Sequence, residues 1–302
     1  MSDILTRAGS FIGIILLGYF LKRIGFFKKE DFTILSRITI RITLPATIVV
    51  SFAGKTFDSS LLSLVFLAMG CGLLYVAIGF LINRKNSKEK QAFEMLNLPG
   101  YNIGCFVLPF AQNFLGPMGV ITASLFDTGN AVIVLGGAYS LASMVKDGGK
   151  FSPKRILLSL CKSVPFVTYI IMLIISAAKI PLPALPLSLA ETIGNANTFM
   201  AMLTIGVGFE LKAERSQILN ILKMLSIRYG VAIVLALIFY FCLPFALEVR
   251  QALVILVCSP IGAAVPGFTG EMKSDVSLSS VLNSLTMVIS IVITVALLFV
   301  ML

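Results

Sequence analysis

Residues 101–130 read YNIGCFVLPFAQNFLGPMGVITASLFDTGN, and their reading decides the fold. The stretch is apolar enough for a membrane, yet Asn102, Gly104 and Pro109 crowd its first part. Pro109 has no N–H to donate and Gly104 has no Cβ, so a continuous helix is not expected here. At bilayer depth an interrupted helix persists only where its freed backbone groups line a cavity or are covered by protein. Downstream, Asp127 and Asn130 lie one helical turn apart on a segment otherwise fit to span. A broken helix beside an intramembrane acid is the sequence pattern of a substrate site in a secondary transporter.

Outside this stretch the composition sets the class. Hydrophobic residues make up 58% of the chain and charged residues 13%, against roughly 45–50% and 25% in soluble domains. The expectation is a polytopic, all-α membrane protein. The net charge of +10 sits in short clusters between apolar runs: Lys22, Arg23, Lys28 and Lys29; Arg84, Lys85, Lys88 and Lys90; Lys146, Lys150, Lys154 and Arg155. Clusters so placed set topology and do not suggest a nucleic-acid partner.

Several chemistries are excluded. With no His in the chain, a His proton relay, a His–metal site and a Ser-His-Asp triad cannot be built. The five cysteines are scattered without a Cys-x-x-Cys pair, so no metal site is expected and they read as small buried hydrophobes. Gly149-Lys150 is followed by Phe151, and Met144 stands where a P-loop needs glycine. No cofactor is expected, and an enzyme is disfavoured because Asp127 is the only clear mid-span acid.

Ten spans are expected, at about residues 5–24, 32–52, 61–82, 100–115, 118–145, 157–178, 192–209, 218–243, 252–270 and 276–301. Charge follows the first run, and no Ala-x-Ala site appears, so that run reads as a retained span. Pro45 predicts a bend in the second span. Residues 83–99 read as a surface segment feeding the fourth span, and the Pro-rich residues 180–187 as a loop. Residues 252–270 contain VCSPIGAAVPGFTG and form the second broken segment. Asn195 and Asn197 read as caps or packing polars.

The pattern repeats. Gly25 and Pro181, Gly104 and Pro260, and Asp127 and Asn283 each stand 156 residues apart. The expectation is two inverted five-helix repeats, 1–150 and 151–302, forming one membrane unit with broken crossing helices 4 and 9. The basic loops alternate with loops holding little beyond Lys55, Lys179 and Arg250. The positive-inside rule then places both termini on the outer side.

Asn102-Ile-Gly-Cys-Phe-Val-Leu-Pro109, then Phe114-Leu-Gly-Pro-Met-Gly119 and Asp127, resembles the auxin efflux carrier family, its bacterial members included. Leu44-Pro45-Ala46 is similar to the family's second-span motif, and Ser259-Pro260 with Gly262 to its ninth-span break. Val107 stands where the family commonly has glycine. Plant members carry a long central hydrophilic loop where this chain has only residues 146–154. The resemblance implies a fold similar to bile-acid symporters and sodium–proton antiporters, in a bacterial inner membrane. It implies small carboxylate substrates such as malonate or malate.

The expected substrate site combines Asn102, Ile103, Gly104 and Pro109 with Ser259, Pro260, Gly262 and Pro266. Asn102 has an ordinary reading as a helix cap, and capping is compatible with ligand binding at a half-helix N-terminus. Asp127, with Thr128, Asn130 and Asn283, is the expected ion-coupling group, suited to Na+ or H+; its structural alternative is an acid paired with Arg228. The function expected is secondary active transport of a small organic anion. A channel, or a sensor on a transporter fold, is the alternative. The partners expected are that anion and the lipid bilayer, and a homodimer is left open.

Overall fold

The computed structural model describes residues 2–28, 30–55, 59–210 and 215–301. Lys29 and Lys212 of the basic loops therefore lie outside the described residues. In chain order the helices are α1 (Ser2–Arg23), α2 (Asp31–Ile38), α3 (Leu44–Phe52), α4 (Ser63–Ile82), α5 (Lys88–Asn97), α6 (Leu108–Phe110), α7 (Gly116–Val132) and α8 (Ala138–Asp147). There follow α9 (Pro153–Lys162), α10 (Val164–Ala177), α11 (Ala184–Asn195), α12 (Asn197–Gly208), α13 (Ile218–Phe241), α14 (Leu247–Val257), α15 (Val265–Glu271) and α16 (Val276–Met301). No strand occurs among the described residues.

Among the described residues, six helical runs are long and apolar enough to cross a membrane: Leu5–Arg23, Asp31–Phe52, Ser59–Ile82, Ile103–Asp147, Arg215–Phe241 and Val276–Met301. The pair α9–α10, bent by 80°, makes a seventh if it counts as one span. Phe66 is 73% exposed and Val300 86%. Side chains of that kind on the outer faces of apolar helices belong against lipid. The chain is a multi-pass membrane protein.

The prolines do less damage than their positions suggest. Pro45 sits in the first turn of α3, directly after a π-helical turn, Thr39–Thr43, that joins α2 to α3. Pro109 likewise lies between π-helical turns Ile103–Val107 and Ala111–Leu115. A wider turn absorbs the missing N–H, so the backbone stays helical through both. The first break is therefore upstream of Gly104 and Pro109, at residues 98–102, where α5 ends. The second separates α14 from α15 and contains Pro260.

Gly116 reverses the chain. A straight helix from 101 to 130 would hold its ends roughly 40 Å apart at 1.5 Å per residue. Yet the Tyr101 N–H donates to Asn130 Oδ1 over 3.0 Å. The turn is made at Gly116, with φ 65 and ψ −164, a conformation that needs glycine. Residues 103–115 and α7 are the two arms of a hairpin.

Two stretches differ from the sequence expectation. Residues 83–99 are only partly a surface segment: residues 84–90 are exposed, but the rest of α5 is inserted in the bundle and every residue from Gln91 to Asn97 is buried. Its polar groups are paired inside. Glu94, fully buried, meets Lys223 Nζ at 2.8 and 3.1 Å, and Asn97 Nδ2 donates to Thr269 over 3.2 Å. The Pro-rich residues 180–187 are only partly a loop, since α11 begins at Ala184 with Pro183 as its N-cap. Proline is tolerated in a first helical turn because the N–H there has no intrahelical acceptor. Cys71, Cys105 and Cys258 are buried as expected, whereas Cys161 and Cys242 are exposed.

The helices pack as two groups. In the first, α1 lies on α12, and α3 lies on α10 and α11. A polar ladder of Thr39–Thr204, Thr43–Asn197 and Thr47–Gly194 bonds closes it. In the second, α4 packs on α5 and α7, α5 on α8 and α15, α13 on α14 and α16, and α14 on α7. A Cβ on Gly129 would sit 1.9 Å from the Val65 carbonyl oxygen, so α7 can approach α4 only as glycine at that position. The groups meet where α3 and α10 touch α7, and where α12 touches residues 103–107. Each half of the sequence contributes helices to both groups.

Candidate functional site

The two breaks meet. The Asn102 N–H donates to the Pro260 carbonyl over 2.9 Å, joining one interrupted backbone to the other. Each break is braced by an asparagine of the helix that follows it. Asn130 on α7 accepts from the Tyr101 N–H and donates back to its carbonyl over 2.9 Å. Asn283 on α16 donates to the carbonyls of Ile261 and Gly262, at 3.0 and 3.2 Å. By bonding, Asn283 is thus the counterpart of Asn130; the 156-residue offset pairs it with Asp127 instead.

Arg228 of α13 lies under the crossing, 2% exposed. Its Nη1 donates to the Leu98 carbonyl, and its Nη2 to those of Gly100 and Ser259, both at 2.9 Å. The guanidinium also faces the rings of Tyr75 and Tyr101, at 5.6 and 5.4 Å. Leu98 and Gly100 follow the C-terminus of α5, and Ser259 follows that of α14. Both are helix ends of partial negative charge. One cation therefore satisfies carbonyls freed at both breaks.

Asp127 does not pair with Arg228. Its Oδ1 accepts from Asn130 Nδ2 at 2.9 Å, and its Oδ2 from the Tyr169 hydroxyl at 3.0 Å. Tyr169 belongs to α10 in the first packing group and Asp127 to α7 in the second. The carboxylate thus bridges the interface between the groups.

A cavity of about 120 Å³ opens beside these residues, lined by Asn102, Ile103, Gly104, Asp127, Asn130, Tyr169 and Gly262 among others. Residues 103–115 begin at this cavity, and the N–H groups of their first turn have no intrahelical acceptor. Asn102 is 5% exposed and makes no side-chain capping bond, and its Nδ2 has no partner. The capping reading of Asn102 therefore does not describe this structure. Buried polar atoms left unpaired are a minority in folded proteins; Asn197 Nδ2 and Ser259 Oγ share that state here, and Asn102 is the amide among them whose residue lines this cavity.

The other expected residues are distributed around this point. Ser259 and Pro260 lie across the crossing, engaged through their carbonyls by Arg228 and by the Asn102 N–H. Pro109 is one turn past the site, its carbonyl accepting from Asn113. Thr128 bonds the Ser124 carbonyl of its own helix. Pro266 and Asn283 line a neighbouring cavity of about 410 Å³. Sequence reasoning missed Tyr169 as a partner of Asp127. No local motif marks Tyr169; only its place on a facing helix brings it there.

That neighbouring cavity has a match at the other end of the bundle. A cavity of about 390 Å³ is lined there by Ser51, Lys55, Gln112 and Val120, and the first by Val207, Glu210, Gly267 and Val276. Ser51 and Val207, and Val120 and Val276, are 156 residues apart. Lys55 and Glu210, and Gln112 and Gly267, are 155 apart.

No protein-family model matches the chain. It is similar to an uncharacterized transporter from Methanocaldococcus jannaschii, 26% identical over 212 residues, covering 66% of this chain and 67% of that protein. It is also similar to an uncharacterized transporter from Methanothermobacter thermautotrophicus, 27% identical over 128 residues, covering 41% of this chain and 42% of that protein. The likeness and the membrane architecture together support a transporter.

Proposed function

We propose that the protein is a secondary active transporter of a small organic anion, bound at the crossing of the two broken helices. The observation that carries this reading is the Asn102 amide: buried, unpartnered, and carried by a residue that lines a cavity at the start of residues 103–115. A half-helix N-terminus favours anions through its free N–H groups and dipole. Asp127 is the coupling group, taking a proton or Na+ and losing negative charge as it does so. Its bond to Tyr169 supports this role, because it ties the charge of the site to the contact between the two packing groups.

On this reading the chain makes ten crossings in two inverted repeats. The runs α1, α2–α3, α4, α7–α8, α13 and α16, with the helix pairs α5 with 103–115, α9–α10, α11–α12 and α14–α15, supply them. The matched cavities and the paired braces Asn130 and Asn283 support the repeat. Both termini face outward from a cytoplasmic membrane, by the positive-inside rule. The resemblance to auxin efflux carriers belongs to the same proposal.

The test is ligand-linked thermal stabilisation of purified protein by carboxylates, with and without Na+, for the wild type and Asn102→Ala. Losing a hydrogen bond to a charged group costs about 1.5–3 kcal/mol, about tenfold to a hundredfold in affinity. An unchanged ligand response in the variant, with lowered intrinsic stability, would show Asn102 to be structural.

A further inference from the structure

Resting on that reading of the Asn102 cavity, we propose that the substrate is a short-chain monocarboxylate: one carboxylate on a small apolar body. Three observations limit the ligand to this class.

The first is the supply of donors. Asn130 Nδ2 is engaged by Tyr101 and Asp127, the Tyr169 hydroxyl by Asp127, and the Arg228 guanidinium by the crossing carbonyls. Among the described residues no Lys or Arg lines the cavity. The Asn102 amide and the first N–H groups after it can serve one carboxylate.

The second is the rest of the lining, mostly apolar side chains such as Ile40, Leu44, Val134, Leu135 and Phe166, with Ser163 among them. A second carboxylate there would find no donor beyond the Ser163 hydroxyl, and it would add charge to a site that already holds Asp127. An anion in such surroundings is strongly disfavoured. An alkyl body fits the same wall favourably.

The third is size. A dry cavity of about 150 Å³ accepts benzene, and this one is about 120 Å³. A body of about three to five carbons, carboxyl included, fills that volume.

The test is a thermal-shift titration of the full chain in detergent with propanoate, butanoate, pentanoate, octanoate, malonate and succinate, with Na+ present at mildly acidic pH. Wild type, Asn102→Ala, and the wall variants Val134→Ala and Ile40→Val are compared. The affinity maximum is expected between propanoate and pentanoate, with octanoate and both dicarboxylates weaker by about tenfold or more. Removing wall volume should move the maximum to a longer chain in whichever wall variant folds. Malonate or succinate binding as tightly as butanoate, with Asn102→Ala abolishing both, would overturn the monocarboxylate assignment and keep the anion site. An optimum unmoved by either wall variant would overturn the assignment of the wall. No stabilisation of the wild type by any of these acids would overturn the function reading, and this inference with it.

Discussion

Replacing Arg228 by methionine should loosen the crossing from which the whole site is hung. The substitution keeps the length of an apolar stem and removes three bonds, to the Leu98, Gly100 and Ser259 carbonyls. Each is charge-assisted and worth about 1.5–3 kcal/mol net, which bounds the loss at about 5–9 kcal/mol. Backbone relaxation and entry of water recover part of this, so a loss of about 3–5 kcal/mol is expected, as for other buried charges stripped of their partners. Arg228→Lys keeps the charge but cannot span the carbonyls of both breaks with a planar fork, and should lose less than the methionine variant. The measurement is equilibrium unfolding in mixed micelles, with cysteine accessibility at Cys258 reporting whether the crossing has opened. A methionine variant within about 1 kcal/mol of wild type would show that helix packing alone holds the breaks together. Equal losses for lysine and methionine would show that the shape of the guanidinium, and not its charge, is what matters.

Asp127→Asn should fold, since its amide oxygen can still accept from Tyr169, but in proteoliposomes it should no longer concentrate substrate against a gradient. Any residual exchange should lose its dependence on pH or Na+; accumulation with wild-type ion dependence would place the coupling site elsewhere. With native exposed cysteines removed, single cysteines at Lys88 and Lys150 should react only with reagent on the cytoplasmic side, and one at Lys55 only from outside. Labelling of the Lys55 and Lys150 positions from the same face would overturn the ten-crossing arrangement.

How far the sequence could be read depended on the range of the interactions. Membrane class follows from composition, and the pair Asp127 and Asn130 from helical spacing, because both are local properties. The break after α14 was legible because Pro260 lacks the N–H that a continuing helix would need. The break after α5 was misplaced toward Gly104 and Pro109, because a π-helical turn on each side lets the helix run through Pro109. That accommodation depends on packing, with Leu44 of α3 pressed on Gly104. The polarity of α5 hid its burial for a similar reason. Glu94 is tolerated inside only because Lys223 lies 129 positions away in the chain and next to it in space. The partners of Arg228 and Tyr169 are equally non-local.

The division of labour between the two halves explains why the site is asymmetric although its frame is paired. Each half supplies a broken helix and an asparagine that braces the break, Asn130 in one and Asn283 in the other. These bonds satisfy backbone groups that a membrane interior would otherwise leave unpaired. An asparagine suits this because it both donates and accepts without carrying charge. What the second half lacks is the chemistry. Gly262, next to the Asn283 brace, offers no side chain where Asn102 offers a free amide, and no acid on α16 stands one turn before Asn283 as Asp127 stands before Asn130. On the proposed reading, a paired frame would let the crossing rest on like contacts in either orientation of the two packing groups, and a single amide and a single carboxylate confined to one half would give one substrate and one coupling ion per cycle. Placing a second acid at Ser280, one turn before Asn283, would break that economy, because it would add a second acid to a frame built around one.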